Sequence, residues 1–457
     1  MTDKTLRLIG ELMDSAPPPG SFAARRTGSA ENLVIEVAGV GPIQLPVTPA
    51  QARRLCEIAR PARYGLREQT LLDAKVRDTW EVPRDRVTVD ERRWRETLLP
   101  MLDILRAELG LAPDCELSAE LHSMLVYEPG QFFQRHQDSE KADGMIGTLV
   151  VTLPSAFTGG ELVIEQHGTK ITDRGSPEQL SFVAFYGDCE HEVLPVTDGF
   201  RITLTYNLVA KGRTGPDPAA YATHPSLGLL AEQLRAHFTT PVEMSTWPSQ
   251  REPAKRPPRQ LVYLLDHQYS QQGFGWDRLK GGDATRAGML LAAADIAGYD
   301  TSLALAEVED SYEEDYTSWM LIYRQRWERV ADGWKCVESA DVEFDEDGEM
   351  VEPEPDDPAS LPVLPSLPVL PSLPLAPGSE DLGELRWSTI TLTWLIDPSG
   401  AAGEPAVREV GDEELCTGAA KPTLEPFASE IEGYMGNEGN TANFWYRRAA
   451  IVIRPRQ

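Results

Sequence analysis

Between residues 122 and 209 the chain is a succession of short alternating segments, and this limits its fold more than any other feature. The segments lie at about 122–128, 132–138, 146–153, 160–165, 181–187, 191–196 and 201–209, with glycine or proline turns between them. In an extended strand, side chains i and i+2 leave the same face. Several such runs, each too short for a helix of ordinary length, predict a sandwich or barrel in which one face of each strand is buried.

Polar residues interrupt the apolar faces at a few places. His136 and Asp138 are separated by Gln137, so on a strand the imidazole and the carboxylate point the same way while Gln137 points away. A second imidazole, His191, opens a later alternating run. Two histidines and one carboxylate on one face of a metal, with other positions open, form the facial triad of non-haem Fe(II) oxygenases. Beyond His191 stands Arg201, at the head of Arg-Ile-Thr-Leu-Thr-Tyr, where Arg201, Thr203 and Thr205 share a face. A guanidinium fork holds a carboxylate through two parallel hydrogen bonds. A dicarboxylate could therefore chelate the metal at one end and be clamped at the other.

The ordered set of His-x-Asp, a distal His and an Arg beyond it resembles the 2-oxoglutarate and Fe(II)-dependent dioxygenase superfamily. Tyr127-x-Pro-Gly, Gly159-Gly-Glu-Leu and Phe185-Tyr-Gly-Asp-x-x-His-Glu-Val are most similar to its prolyl 4-hydroxylase-like branch. The resemblance spans roughly residues 120 to 210. It implies a double-stranded β-helix of the jelly-roll or cupin kind, with His136, Asp138 and His191 ligating iron. It further implies that Arg201 binds the distal carboxylate of 2-oxoglutarate, with Tyr127 and Thr203 as further cosubstrate contacts. Gly159 and Gly160 would form a tight turn. The implied cofactors are Fe(II), 2-oxoglutarate and O2, with ascorbate as an optional reductant. The implied reaction hydroxylates a C–H bond with release of succinate and CO2, and no side chain serves as general base. The substrate stays open between a prolyl or other residue of a protein or peptide and a small molecule. The alternative is a non-catalytic jelly-roll binding or interaction protein.

Each residue also has an ordinary reading. A histidine such as His136, taken alone, is a satisfied polar side chain, and Tyr127 is an ordinary core tyrosine. Cys189 reads as packing, since no second thiol accompanies it. His122 and His167 read as incidental, and His224, His237 and His267 lie outside the motif. Residues 62–80 could line the site's mouth, with Arg67, Lys75 and Arg77 as anchors. The favoured reading for that stretch is a solvated, charge-paired surface helix.

The remaining sequence sets the frame. The chain of 457 residues suggests two or three units: an N-terminal support region (1–120), the oxygenase core (121–210) and a C-terminal α+β accessory domain (211–457). Helices are expected at Leu6–Met13, after the cap Thr48 and at Trp94–Leu109, with N-terminal helices bracing the core. Further on, helices are expected at Ser226–Phe238 and from a cap at Asp283 to Ala297, a hairpin at Ser318–Val337, and strands at Trp387–Ile396 and Ala449–Ile453. Residues 338–383 form an acidic and then proline-rich insert, Leu361-Pro-Val-Leu-Pro-Ser repeating, read as an extended spacer or as the docking site of a proline-binding partner. The formal net charge of −29 disfavours nucleic-acid partners. Five scattered cysteines without a C-x-x-C pair fit a reducing compartment. With a charged N-terminus and no long apolar run, the expected location is cytoplasmic, without a membrane partner.

Overall fold

The computed structural model describes residues 2–16, 20–66, 69–138, 144–166, 168–212, 221, 224–243, 255–269, 274–313, 325–330, 333–339, 385–401, 408–418, 426–432 and 441–456. Two antiparallel sheets form its centre. One has seven strands in the order Ala23–Gly28, Leu180–Tyr186, Met145–Thr152, Arg201–Lys211, Glu116–Tyr127, Trp80–Val82 and Arg60–Pro61. The other has five, in the order Thr169–Asp173, Leu162–Gln166, Glu190–Val193, Phe132–His136 and Arg77–Asp78. Side chains of both sheets, among them Met124, Leu149, Phe185 and Leu204 from the first and Leu162, Ile164 and Val193 from the second, belong to one buried apolar cluster. This is the arrangement of a jelly-roll core. Each fully buried Leu, Val, Ile or Phe contributes about 1.5–3 kcal/mol to it relative to exposure.

The expected strands recur with shifted ends, and the sheets also recruit Ala23–Gly28, Arg60–Pro61, Arg77–Asp78 and Trp80–Val82 from before residue 120. Residues 62–80 do not form the surface helix favoured from their charges. They fold as strands Tyr64–Leu66, Gln69–Leu71 and Arg77–Asp78, the last pairing with Phe132 and Phe133. In Val76-Arg-Asp-Thr-Trp the alternation of an edge strand outweighs local charge pairing.

Helix Glu91–Glu108 is capped by Asp90, whose side chain accepts from Arg93 N–H, and Trp94, Leu98, Leu102 and Leu105 are its buried face. Trp94 stacks on Phe182, centroids 5.9 Å apart, and donates Nε1–H to Tyr206 Oη at 3.1 Å. Helix Pro49–Ile58 starts at its Thr48 cap as the sequence suggests. Helix Thr2–Asp14 belongs elsewhere: Leu6, Ile9 and Met13 lie in a second apolar cluster with helices Leu227–Thr239 and Gly281–Ala297 and strand Leu261–Leu264. Asp283 does not cap the Gly281–Ala297 helix. It sits fully buried in the first turn and accepts the backbone N–H groups of Asp266 and His267, both at 2.9 Å.

The chain divides into two compact units, 1–308 with 390–425 and 446–457, and 309–389 with 426–445. The first contains the jelly roll and the second apolar cluster. The second contains the hairpin Gln325–Val330 with Gly333–Ser339, and Ala428–Glu432 paired with residues 441–445. Residues 340–384, and with them nearly all of the acidic and proline-rich insert, lie outside the described residues. Among the described residues no helix is long and apolar enough to cross a membrane.

Candidate metal and cosubstrate site

Strands Phe132–His136 and Glu190–Val193 pair so that His136 lies directly opposite His191. An irregularity between Phe133 and His136 re-aims the end of the first strand. The strand stops at His136, two residues short of the expected end, yet Asp138 still turns toward the imidazoles. His136 Nε2 is 4.0 Å from Asp138 Oδ1, and His191 Nε2 is 3.6 Å from Asp138 Oδ2. Potential ligand atoms of the three residues all lie within 4.8 Å of one another.

Both imidazoles are oriented through their other nitrogen. His136 Nδ1 is 2.8 Å from the Gln134 carbonyl, and His191 Nδ1 is 3.1 Å from the Cys189 carbonyl. A carbonyl only accepts, so each Nδ1 carries the proton and each Nε2 lone pair is available to a metal. Burial, then the neighbouring His191, hold the His136 pKa down to about 3, so this ring is neutral at ordinary pH. Phe133 stacks on His136 with centroids 3.6 Å apart, and Phe185 lies 4.6 Å from His191. Asp138 is held at both ends: Thr148 Oγ1–H donates to Oδ2 at 2.5 Å, and its backbone N–H donates to the Gly187 carbonyl at 2.9 Å.

Arg201 is 2% exposed and stands opposite Tyr127 in the strand register, its guanidinium carbon 5.4 Å from that ring. Arg201 Nη2, Thr203 Oγ1 and Thr152 Oγ1 are buried without a hydrogen-bond partner, and Thr152 faces Thr203 across the sheet. Buried polar atoms left unpaired cost about 1–3 kcal/mol each. An unpaired guanidinium nitrogen beside two unpaired hydroxyls suits a carboxylate, so these residues fit the distal end of 2-oxoglutarate. Gly160 makes the expected tight turn beside Arg201, with φ +66° and a Cβ that would come within 2.8 Å of Val196 and 3.3 Å of Arg201 Cδ.

His136, Asp138, His191, Tyr127, Arg201 and Thr203 all line one cavity of about 140 Å³. Arg63, Tyr64, Arg77 and His122 line it too. Arg67 and His167 fall outside the described residues, and Lys75 is exposed. Cys189 is buried and turned toward the Phe22 carbonyl, with burial raising its thiol pKa, as a packing residue would be. His237 is likewise a buried structural histidine, 2.9 Å from the Gln260 carbonyl. Thr148 and Thr152 escaped the sequence reading, although they are the hydroxyl-bearing residues of an otherwise apolar run. His267, set aside as outside the motif, reaches Asp188 of that motif at 2.7 Å.

The sequence model of the 2OG-Fe(II) oxygenase superfamily matches residues 122–209. Among solved structures, a prolyl-4-hydroxylase from Pseudomonas putida is 20% identical, with 45% of this chain and 100% of that chain covered and a TM-score of 0.26. A Trichoplax adhaerens prolyl hydroxylase, solved with a hypoxia inducible factor peptide fragment, is 17% identical, with 45% and 91% covered and a TM-score of 0.28. A 2OG-Fe(II) oxygenase family oxidoreductase from Burkholderia pseudomallei is 15% identical, with 45% and 90% covered and a TM-score of 0.25. No curated protein matches the chain. The family implies Fe(II), 2-oxoglutarate and O2, and His136, Asp138 and His191 could hold the iron. The match to the 2OG-Fe(II) oxygenase superfamily is thus confined to residues 122–209, the stretch that contains the His136–Asp138–His191 cluster.

Proposed function

We propose that this enzyme hydroxylates a C–H bond in a protein or peptide substrate, a prolyl residue being the first choice, with release of succinate and CO2. The reading is carried by one juxtaposition: Arg201 and Thr203, from one sheet and with unpaired buried polar atoms, line the same cavity as the His136–Asp138–His191 cluster, whose imidazoles come from the other. Bound ferrous iron and 2-oxoglutarate supply the activation of O2, one oxygen atom entering succinate and the other the product. The chain's own residues bind, orient and exclude water. His136 and His191 offer Nε2 lone pairs fixed by their Nδ1–H bonds, and Asp138 offers a carboxylate steadied by Thr148. Arg201, Thr203 and Tyr127 receive the distal carboxylate, and Phe133 and Phe185 keep the imidazoles in apolar surroundings. No acid–base residue is required, so the protein's work is positioning.

Two arginines, Arg63 and Arg77, line the cavity together with Glu81, whose carboxylate is paired with Arg60. Arg77 Nη1 donates to the Arg63 carbonyl at 2.6 Å, its guanidinium carbon lies 4.4 Å from the Phe133 ring centre, and its Nε has no hydrogen-bond partner. That supports a substrate with an acidic group beside the hydroxylated residue. The test supplies purified protein with Fe(II) and labelled 2-oxoglutarate and measures succinate, with mass spectrometry for +16 products in lysate. Succinate formed by the wild type and lost in His191→Ala supports the reading; equal conversion by both proteins refutes it.

A further inference from the structure

The turn that carries the second half of the metal site is itself held from outside the jelly roll. Three backbone carbonyls of residues 187–189 grip the site in succession. Gly187 accepts from the Asp138 backbone N–H at 2.9 Å, Asp188 from the Gln137 Nε2–H at 2.8 Å, and Cys189 lies 3.1 Å from His191 Nδ1. The turn therefore sets the backbone of one metal-binding residue and the ring angle of another.

Its own position is set by the Asp188 side chain. This carboxylate is 8% exposed and points into the layer of the second apolar cluster. His267 Nδ1 meets Asp188 Oδ2 at 2.7 Å, Gln268 N–H donates to the same oxygen at 3.2 Å, and Lys280 Nζ is 3.8 Å from Oδ1. His267 also packs edge-on against Tyr186, centroids 5.1 Å apart. Behind them Asp283 fixes the backbone of Asp266 and His267 and accepts from Tyr269 Oη–H at 3.0 Å, while Tyr269 Oη in turn accepts the Lys280 backbone N–H at 2.9 Å. A buried ion pair is weak evidence of stability by itself, because desolvation offsets its attraction. A buried pair that ends in the turn behind two metal-binding residues has another use.

We infer that the Asp188–His267 pair is a positioning device for the metal site, through which the 261–297 layer orients Asp138 and His191. Neither residue touches the metal. Outer partners of metal ligands commonly change affinity by about 10–100-fold. The inference rests on the metal-site reading above, so wild-type Co(II) binding is measured first by calorimetry and by the visible spectrum of the bound ion. Absent binding sinks the metal site itself and this inference with it.

With wild-type binding in hand, full-length His267→Ala is expected to bind Co(II) about tenfold more weakly and to show an altered Co(II) spectrum. His267→Asn, whose side-chain amide can replace Nδ1–H, is expected to recover most of both. Leu234→Ala, which opens the same apolar cluster in helix Leu227–Thr239, is expected to lower the melting temperature while leaving affinity and spectrum unchanged. Should His267→Ala fail to fold, the nearly isosteric Asp188→Asn carries the same comparison. Wild-type affinity and spectrum in the folded His267 or Asp188 variant would overturn the inference. So would an equal loss of affinity in Leu234→Ala, because the effect would then be one of general stability.

Discussion

Replacing Thr203 by valine should make the empty protein more stable and the cosubstrate bind more weakly. Thr203 is fully buried, and its hydroxyl has no hydrogen-bond partner. Valine keeps the branched shape and removes the unpaired oxygen. Leaving such a group unpaired costs about 1–3 kcal/mol, and replacing it by an apolar group of the same shape recovers part of that. The apo variant should therefore gain on the order of 1 kcal/mol. In the loaded protein the same hydroxyl is assigned to the distal carboxylate of 2-oxoglutarate. Losing a hydrogen bond to a charged group costs about 1.5–3 kcal/mol, or roughly 10- to 150-fold in Kd. Thermal melting of apo protein and calorimetric titration of 2-oxoglutarate, with a redox-inert divalent metal present, read the two effects separately. A destabilised apo variant with unchanged affinity would show that the hydroxyl belongs to the fold and not to a ligand pocket.

His136→Ala or Asp138→Ala should abolish turnover and metal binding, whereas Arg201→Ala should chiefly raise the 2-oxoglutarate concentration needed for half-maximal succinate formation. Unchanged kinetics in Arg201→Ala would remove its assigned role. Arg77→Gln should raise KM for proline peptides with glutamate flanks and leave 2-oxoglutarate affinity alone, while glutamine-flanked controls respond little; equal effects on both peptides would argue against an acidic substrate. The Asp188–His267 pair gives the apo protein a pH signature. Burial alone would lower the His267 pKa, but Asp188 more than compensates, and the net shift is upward from 6.5. For Asp188 burial works upward, but His267 and Lys280 prevail, and the net shift is downward from 3.8. His267 thus contributes stability that is complete below 6.5 and lost as pH rises through its folded pKa. Asp188 contributes stability that is complete above 3.8 and lost as pH falls through its folded pKa. Melting temperature against pH should show the pair's contribution greatest between these limits, with the alkaline decline reduced in His267→Asn.

Much of the site was readable in the chain because its chemistry needs particular side chains in a particular order. His136, Asp138, His191 and Arg201 could be named before any coordinates, since few arrangements use two imidazoles, a carboxylate and a guanidinium at alternating positions. The jelly-roll strands were legible as short runs between glycine and proline turns, although Met145–Thr152 and Leu180–Tyr186 prove buried on both faces and not on one. What escaped notice depends on tertiary neighbours. Thr152 comes to face Thr203, which the sequence did single out, only when their strands pair, and His267 gains meaning only because it meets Asp188 from far along the chain. Local charge misled at residues 62–80, where edge-strand pairing with Phe132 and Phe133 overrides the tendency to a charged surface helix. Asp283 looks like a helix cap by sequence, but it serves the 266–267 backbone because that is where its buried carboxylate finds donors.

The central claim is that three side chains hold one ferrous ion beside a bound 2-oxoglutarate. Anaerobic titration of Fe(II) into protein containing 2-oxoglutarate, followed by the visible charge-transfer absorption of the chelate, tests it most directly. The account predicts a band that saturates at one iron per chain, vanishes in His191→Ala and needs far more 2-oxoglutarate in Arg201→Ala. No band in the wild type, or an undiminished band in His191→Ala, would contradict it.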